Sequence, residues 1–273
     1  MEIIEIANPF LAPVYHEKIV SSTMDVSREL AAEGLPHGTV ITADFQTAGR
    51  GRGAEGRRLW EMDRGSLAFT VLLRFSSMEE IPRALTLRAG LAVSLAIEDF
   101  LPALSGSVLI KWPNDVMLSR FAGVRDPAEN VPAGKSAKKA VGILVEANGG
   151  TARLGIGINV TQKFFPGHLR DKAASLSMAA GANIEPEARF DLLEKCLRRL
   201  YSALDDSNGD WRGLIETRLY KKGERVTFIE GLAGSSAAIT GRLTGIGPDG
   251  ELLLTPEDSS TPRAFFTGEL QVY

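Results

Sequence analysis

Residues Lys139 to Asn159 read K-A-V-G-I-L-V-E-A-N-G-G-T-A-R-L-G-I-G-I-N. Two apolar runs, 141–147 and 153–160, flank Gly149-Gly150. Paired glycines between such runs predict a hairpin, because glycine supplies the positive φ that a tight turn demands. An antiparallel pair in mid-chain also breaks any regular strand–helix–strand series. The fold expected is therefore α+β, a mixed sheet with helices on one face, rather than a doubly wound parallel sheet.

The flanking sequence extends this reading in both directions. Ser22-Thr23-Met24-Asp25 has the form of a capping box opening a helix that stops at Gly34. Residues 39–45 and 66–75 are β-branched and apolar, as strands are. Ile81, Leu85, Ala92, Leu95 and Ala96 keep helical spacing up to Phe100, and residues 187–206 form a second amphipathic helix. Residues 108–112 predict a strand ending at Pro113. Beyond Tyr220 helical periodicity disappears, and runs at 224–229, 236–243, 251–255 and 263–267 predict a small all-β barrel. Residues 1–219 and 220–273 are thus expected to be two domains. Residues 119–137 are polar and rich in Gly, Pro, Ala and Lys, the composition of a long surface loop.

The whole chain of 273 residues carries 31 Lys+Arg against 34 Asp+Glu, a net charge of −3 and a pI near 5.8. A general nucleic-acid binder carries a basic excess, so an RNA-binding role for the Arg/Gly stretch is disfavoured. One cysteine, Cys196, excludes an internal disulfide and a thiolate metal cluster. The N-terminus lacks a signal-peptide pattern and no window reaches a membrane span, which leads us to expect a cytoplasmic protein. His16, His37 and His168 have no metal-ligand spacing, Cys196 lies within a helix pattern, and no G-x-x-x-x-G-K-[ST] loop is present.

Chemistry gathers in four places. Gln46 to Arg57 read Q-T-A-G-R-G-R-G-A-E-G-R, glycines for close backbone approach and arginines for phosphate or carboxylate. Lys111-Trp112-Pro113-Asn114-Asp115 sets a carboxamide and a carboxylate at a strand end; the pair could hold Mg²⁺, orient an amine or make an Asx-turn, and alone a turn is its commoner use. Lys139 stands at a strand mouth, with Gly142 three residues on. Gly155 and Gly157 alternate along the next strand, which leaves either a slot for a ligand or a tight helix–strand contact. Together these pieces suit a flat, apolar acid activated against a nucleotide phosphate.

The ordered set A-G-R-G-R (48–52), K-W-P-N-D (111–115), K-A-V-G-I-L-V-E (139–146) and G-I-G-I-N-V (155–160) resembles the biotin protein ligases, from about Ser21 to the C-terminus. The resemblance implies a biotin/lipoate-ligase-type catalytic domain followed by an SH3-like barrel. It implies ATP-dependent formation of biotinyl-5′-AMP with Mg²⁺ present, then transfer to a lysine of a biotin carboxyl carrier domain. Arg50, Arg52, Lys139, Asp115 and Lys111 would be catalytic, with Asp115 near the attacking amine or a Mg²⁺ ion. Ser22, Thr23, Met24, Gln46, Gly49, Gly51, Gly142, Gly155 and Gly157, together with Arg50, Arg52 and Lys139, would hold biotin. Arg52, Trp60, Asn114 and Asn159 would face the nucleotide, Trp60 by stacking on adenine.

Met24 stands where family members often carry Asn, and Lys138 is a one-residue register alternative to Lys139. Arg120-Phe-Ala-Gly-Val124 is a partial echo of the lysine motif that does not run on into the strand. The short stretch before Ser22 implies the form without a DNA-binding domain, hence no DNA partner and no membrane, as a monomer or homodimer. Rival readings are a lipoate or octanoate ligase or transferase of the same superfamily, and a biotin-binding protein without turnover.

Overall fold

The computed structural model describes residues 1–52, 58–60, 65–119, 137–205, 209–231 and 238–271. Most of the expected surface loop, the echo at 120–124 and Arg57 lie outside the described residues.

The elements before the central hairpin are strands β1 (Glu2–Ile3) and β2 (Val14–Val20), helix α1 (Thr23–Ala32), strands β3 (Thr39–Gln46), β4 (Arg50–Gly51), β5 (Arg58–Leu59) and β6 (Ser66–Arg74), helix α2 (Leu85–Phe100), and strands β7 (Val108–Lys111) and β8 (Asp115–Leu118). The hairpin itself is β9 (Lys138–Asn148) and β10 (Thr151–Asn159). Helices α3 (Leu176–Ala180), α4 (Arg189–Leu204) and α5 (Trp211–Glu216) follow. The chain ends with β11 (Arg225–Glu230), β12 (Ala238–Ile246), β13 (Leu252–Pro256), β14 (Arg263–Phe265) and β15 (Gly268–Gln271).

The main sheet has eight strands in the order β1-β2-β3-β6-β10-β9-β8-β7, mixed because β2 and β3 run parallel while the rest pair antiparallel. β9 and β10 form the expected hairpin, turning at Gly149 and Gly150 with φ of +55° and +78°. Period-two alternation sorts each central strand. Leu67, Phe69, Val71 and Leu73 of β6 and Leu154, Ile156 and Ile158 of β10 enter a core with α2 and α4. The opposite face of the same strands carries Ser66, Ala68, Thr70, Gly155, Gly157 and Asn159. Helix α1 packs on that second face, so the helices cover both faces rather than one.

β7 and β8 form a hairpin around Pro113, with Lys111 opposite Asp115, so the chain turns back at Pro113 and Asp115 begins a strand; the Trp112–Pro113 peptide is cis. The last five strands make a separate antiparallel sheet, β14-β13-β12-β11-β15. This five-stranded antiparallel sheet is consistent with the expected SH3-like barrel, although its two edge strands do not pair among the described residues. That sheet shares a core with the first part of the chain, where Leu87, Leu91, Ile110 and Trp112 pack with Phe228, Leu243, Leu254 and Phe265. Among the described residues no helix is long and apolar enough to cross a membrane.

Candidate active site

Register places the glycines in one line. Gly157 pairs with Gly142 on one side and with Ala68 on the other, Gly142 pairs with Asp115, and Ala68 pairs with Ala43. A row with almost no side chains therefore crosses the sheet on the face away from α2 and α4. The next residue along β10 on that face, Gly155, pairs with Thr70 and Leu144.

Helix α1 supplies the near wall. Ser22 caps it, its Oγ accepting from the Met24 N–H at 3.3 Å. Gln46 Oε1 accepts from Thr23 N–H at 2.8 Å and from Thr23 Oγ1 at 3.1 Å, while Thr70 Oγ1 donates to Thr23 Oγ1 at 2.9 Å. These buried polar groups satisfy one another and fix the helix entry against β3 and β6. The expected capping box is not completed: the Asp25 carboxylate accepts from Arg50 at 2.7 Å and from Arg28 at 3.2 Å.

The cations converge from two directions. Arg50, Gly51 and Arg52 come from the β4–β5 ribbon, Lys139 from the start of β9, and all line one pocket with Ser22, Thr23, Gln46 and Asn114. Lys139 Nζ lies 2.6 Å from Asp115 Oδ1, and the buried Lys111 ammonium lies 3.7 Å from Asp115 Oδ2. Asp115 is thus ion-paired to two ammonium groups. Among the described residues no three His, Cys, Asp or Glu converge on a metal position. Lys138 instead donates to the Arg170 carbonyl, while Lys139 lines the pocket.

The trough is not open. A Cβ on Gly157 would stand 2.7 Å from Trp60 Cε2, and one on Gly142 2.8 Å from Trp60 Cζ3, so the indole lies directly on both glycines. Its Nε1 is buried without a hydrogen-bond partner, and Lys139 Nζ sits 5.7 Å from the ring centroid. Gly155 is filled differently: a Cβ there would meet Met24 Sδ at 2.7 Å, a helix–strand contact. With Trp60 and Met24 in place, the cavity measures about 50 Å³.

Some expected site residues stand apart from the pocket lining. Asn159 is buried and donates to the Ala174 carbonyl at 3.2 Å, and Gly49 is covered by the Trp60 carbonyl. Lys111 and Asp115 act behind Lys139 rather than on the wall. Asn114 reaches the wall with its Nδ2 bonded to the Ile143 carbonyl at 2.9 Å. The wall also includes Ile143, Leu144 and Ile156, which the apolar runs of the hairpin concealed among core residues. Cys196 is fully buried between helices, and burial pushes its thiol well above the ordinary range, so it is a packing residue.

The bifunctional ligase/repressor BirA of Bacillus subtilis is 35% identical over 196 residues, 69% of this chain and 53% of that protein. The chain therefore spans about half the length of that relative. The biotin–[acetyl-CoA-carboxylase] ligase of Paracoccus denitrificans is 29% identical over 238 residues, covering 82% of this chain and 86% of its own. The biotin protein ligase of Aquifex aeolicus, solved with biotin and ATP, superposes with a TM-score of 0.73 at 29% identity, over 94% of this chain and 97% of its own. Residues 17–162 match the biotin/lipoate A/B protein ligase family, and the chain belongs to that family.

Proposed function

We propose that this chain is an ATP-dependent biotin protein ligase. In the first step an oxygen of biotin's carboxylate attacks the α-phosphorus of ATP, the bond to the β-phosphate breaks, and pyrophosphate leaves with the electron pair. In the second, a lysine amine of a biotin carboxyl carrier domain attacks the acyl carbon, AMP departs, and the amine's proton passes to solvent. Mg²⁺ enters with ATP as part of the substrate.

The observation that carries this reading is the meeting of Arg50, Arg52 and Lys139 at one pocket also lined by Gly142, Gly157 and the Trp60 indole that covers them. Carboxylate and triphosphate repel, and fixed cations offset that repulsion most where charge builds in the transition state. Losing one such donor lowers the rate by roughly 10²–10³-fold. The Ser22–Thr23 turn and Gln46 present hydroxyl and amide groups for the ureido ring, and the side-chain-free row takes the apolar bicycle. Pockets for ligands of this class measure about 300–1,000 Å³, so the Trp60 indole leaves the glycines when biotin enters and turns toward the nucleotide. Lys111 and Asp115 hold Lys139 at the strand mouth. The buried thiol of Cys196 disfavours a cysteine acyl-enzyme route of the octanoyl-transfer kind.

Incubation with biotin, Mg-ATP and a carrier domain should add one biotinyl group to the carrier, read by mass. A carrier modified by lipoate but not by biotin would overturn the assignment. Biotin binding without pyrophosphate release would reduce the protein to a non-catalytic binder.

A further inference from the structure

Four consecutive residues open α1, and three of them already have places in the site: Ser22 as cap, Thr23 on Gln46, Met24 on Gly155. The fourth is Asp25. Its Oδ2 accepts from Arg50 Nη1 at 2.7 Å and its Oδ1 from Arg28 Nη1 at 3.2 Å. Across the gap, Glu146 near the end of β9 accepts from Arg28 Nη2 at 2.9 Å and lies 3.7 Å from Arg50 Nη2. Arg50 Nη2 is itself buried and without a hydrogen-bond partner, and Arg50 lines the pocket.

We propose that Asp25 is a positioning residue that holds one arm of the Arg50 guanidinium, so that the other arm, which makes no hydrogen bond, can turn from Glu146 to the anionic ligand. An arginine on a two-residue strand between glycines has many rotamers, and its side-chain entropy is about 2 kcal/mol. A charge-assisted bond from a helix turn locked to β3 and β6 fixes the fork before the ligand arrives. Glu146 sits too far from Arg50 to form that bond, so the anchor is Asp25. The arrangement also accounts for the incomplete capping box, because the carboxylate that would close it is bound to Arg50.

The inference rests on the biotin-ligase reading, and one set of four proteins separates the two. Wild type, Asp25→Asn, Arg50→Ala and the double variant are compared by biotin-dependent ATP–pyrophosphate exchange and by calorimetric biotin titration. Expected is a loss of about tenfold in kcat/KM for biotin in Asp25→Asn, within the coupling range of a contacting pair. The same substitution in the Arg50→Ala background should cost less than about twofold, and Asp25→Glu should recover most of the loss. Equal losses with and without Arg50 would assign Asp25 a purely structural role and overturn the proposal, as would an unchanged Asp25→Asn beside a crippled Arg50→Ala. Absence of exchange in the wild type would sink the ligase reading instead, and the same cycle in biotin affinity would still decide the positioning role. Thermal melts of all four exclude misfolding as the source of a loss.

Discussion

Gly155 and Gly157 are two residues apart on one strand face, yet their missing side chains serve different neighbours. Met24 Sδ fills the place of one and the Trp60 indole that of the other. Gly155→Ala should press on a helix–strand contact and destabilise by roughly 1–3 kcal/mol, as overpacking does. Gly157→Ala should meet a side chain that can swing away, so its melting point should stay near wild type while biotin no longer raises it. A Gly157→Ala protein with a full biotin-induced shift would refute the trough as the ligand's place. Both readings of alternating glycine were legible in the sequence; the helix–strand contact is realised at Gly155, while at Gly157 the Trp60 indole lies over the strand. What could not be read was the choice, because it depends on which distant side chain arrives: Met24 from α1, Trp60 from the β4–β5 ribbon. Asp25 was misread for the same reason, since its i,i+3 spacing from Ser22 satisfies a local motif while its partner, Arg50, lies 25 residues on.

Among the elements, those with long periodic patterns matched their expected spans closely: β3, β6, the β9–β10 hairpin and α4 shifted by at most a few residues. α2 starts at Leu85 rather than Ile81 because Ala84, at φ +53°, lies in the left-handed region and breaks the helical path. β2 was hidden by its charged outer residues, and β8 by Pro113, which marks a strand end equally well whether the chain leaves the sheet or turns back into it. The pairing of α2 with α4 has its own consequence. Arg199 Nε and Nη2 each donate to Asp99 at 2.7 Å, and those bonds hold the Asp99 carboxyl below its ordinary value. A depressed carboxyl stabilises the fold above the unfolded-state pKa, about 3.9, and that contribution fades as pH falls through the folded value. Both side chains are 40% exposed, so solvent screening keeps the pair below about 1 kcal/mol. Asp99→Asn should therefore melt slightly lower than wild type at pH 7, and the gap should close as the pH drops below about 4. A gap that widens in acid would contradict the sign.

For the molecule as a whole, the question is whether the last five strands form an appendage or part of the body that carries the pocket. Their sequence lacks helical period and reads as a unit of its own, but the contacts that join it to the rest come from residues far back in the chain. Trp112, inside the K-W-P-N-D motif, donates through Nε1 to the Gly250 carbonyl at 3.0 Å and packs 5.9 Å from the Phe228 ring. Residues 218–220 bond to Ile110 on the edge strand β7, so the connection itself extends the main sheet. Arg52 of the pocket donates to the Gly268 carbonyl at 2.9 Å, which ties the β4–β5 ribbon to β15. Phe228 is fully buried where these contacts meet. Phe228→Ala should cost about 3–5 kcal/mol, which for a chain of this size corresponds to roughly ten degrees in the melting midpoint. Because Leu87, Leu91, Ile110 and Trp112 belong to the core of the C-terminal strands, circular dichroism and tryptophan emission should report one shared transition, shifted together in the variant. A biphasic melt in which only the minor phase moves would show that the two sheets fold apart, and that the hairpin carrying Lys111 and Asp115 does not depend on the C-terminal strands.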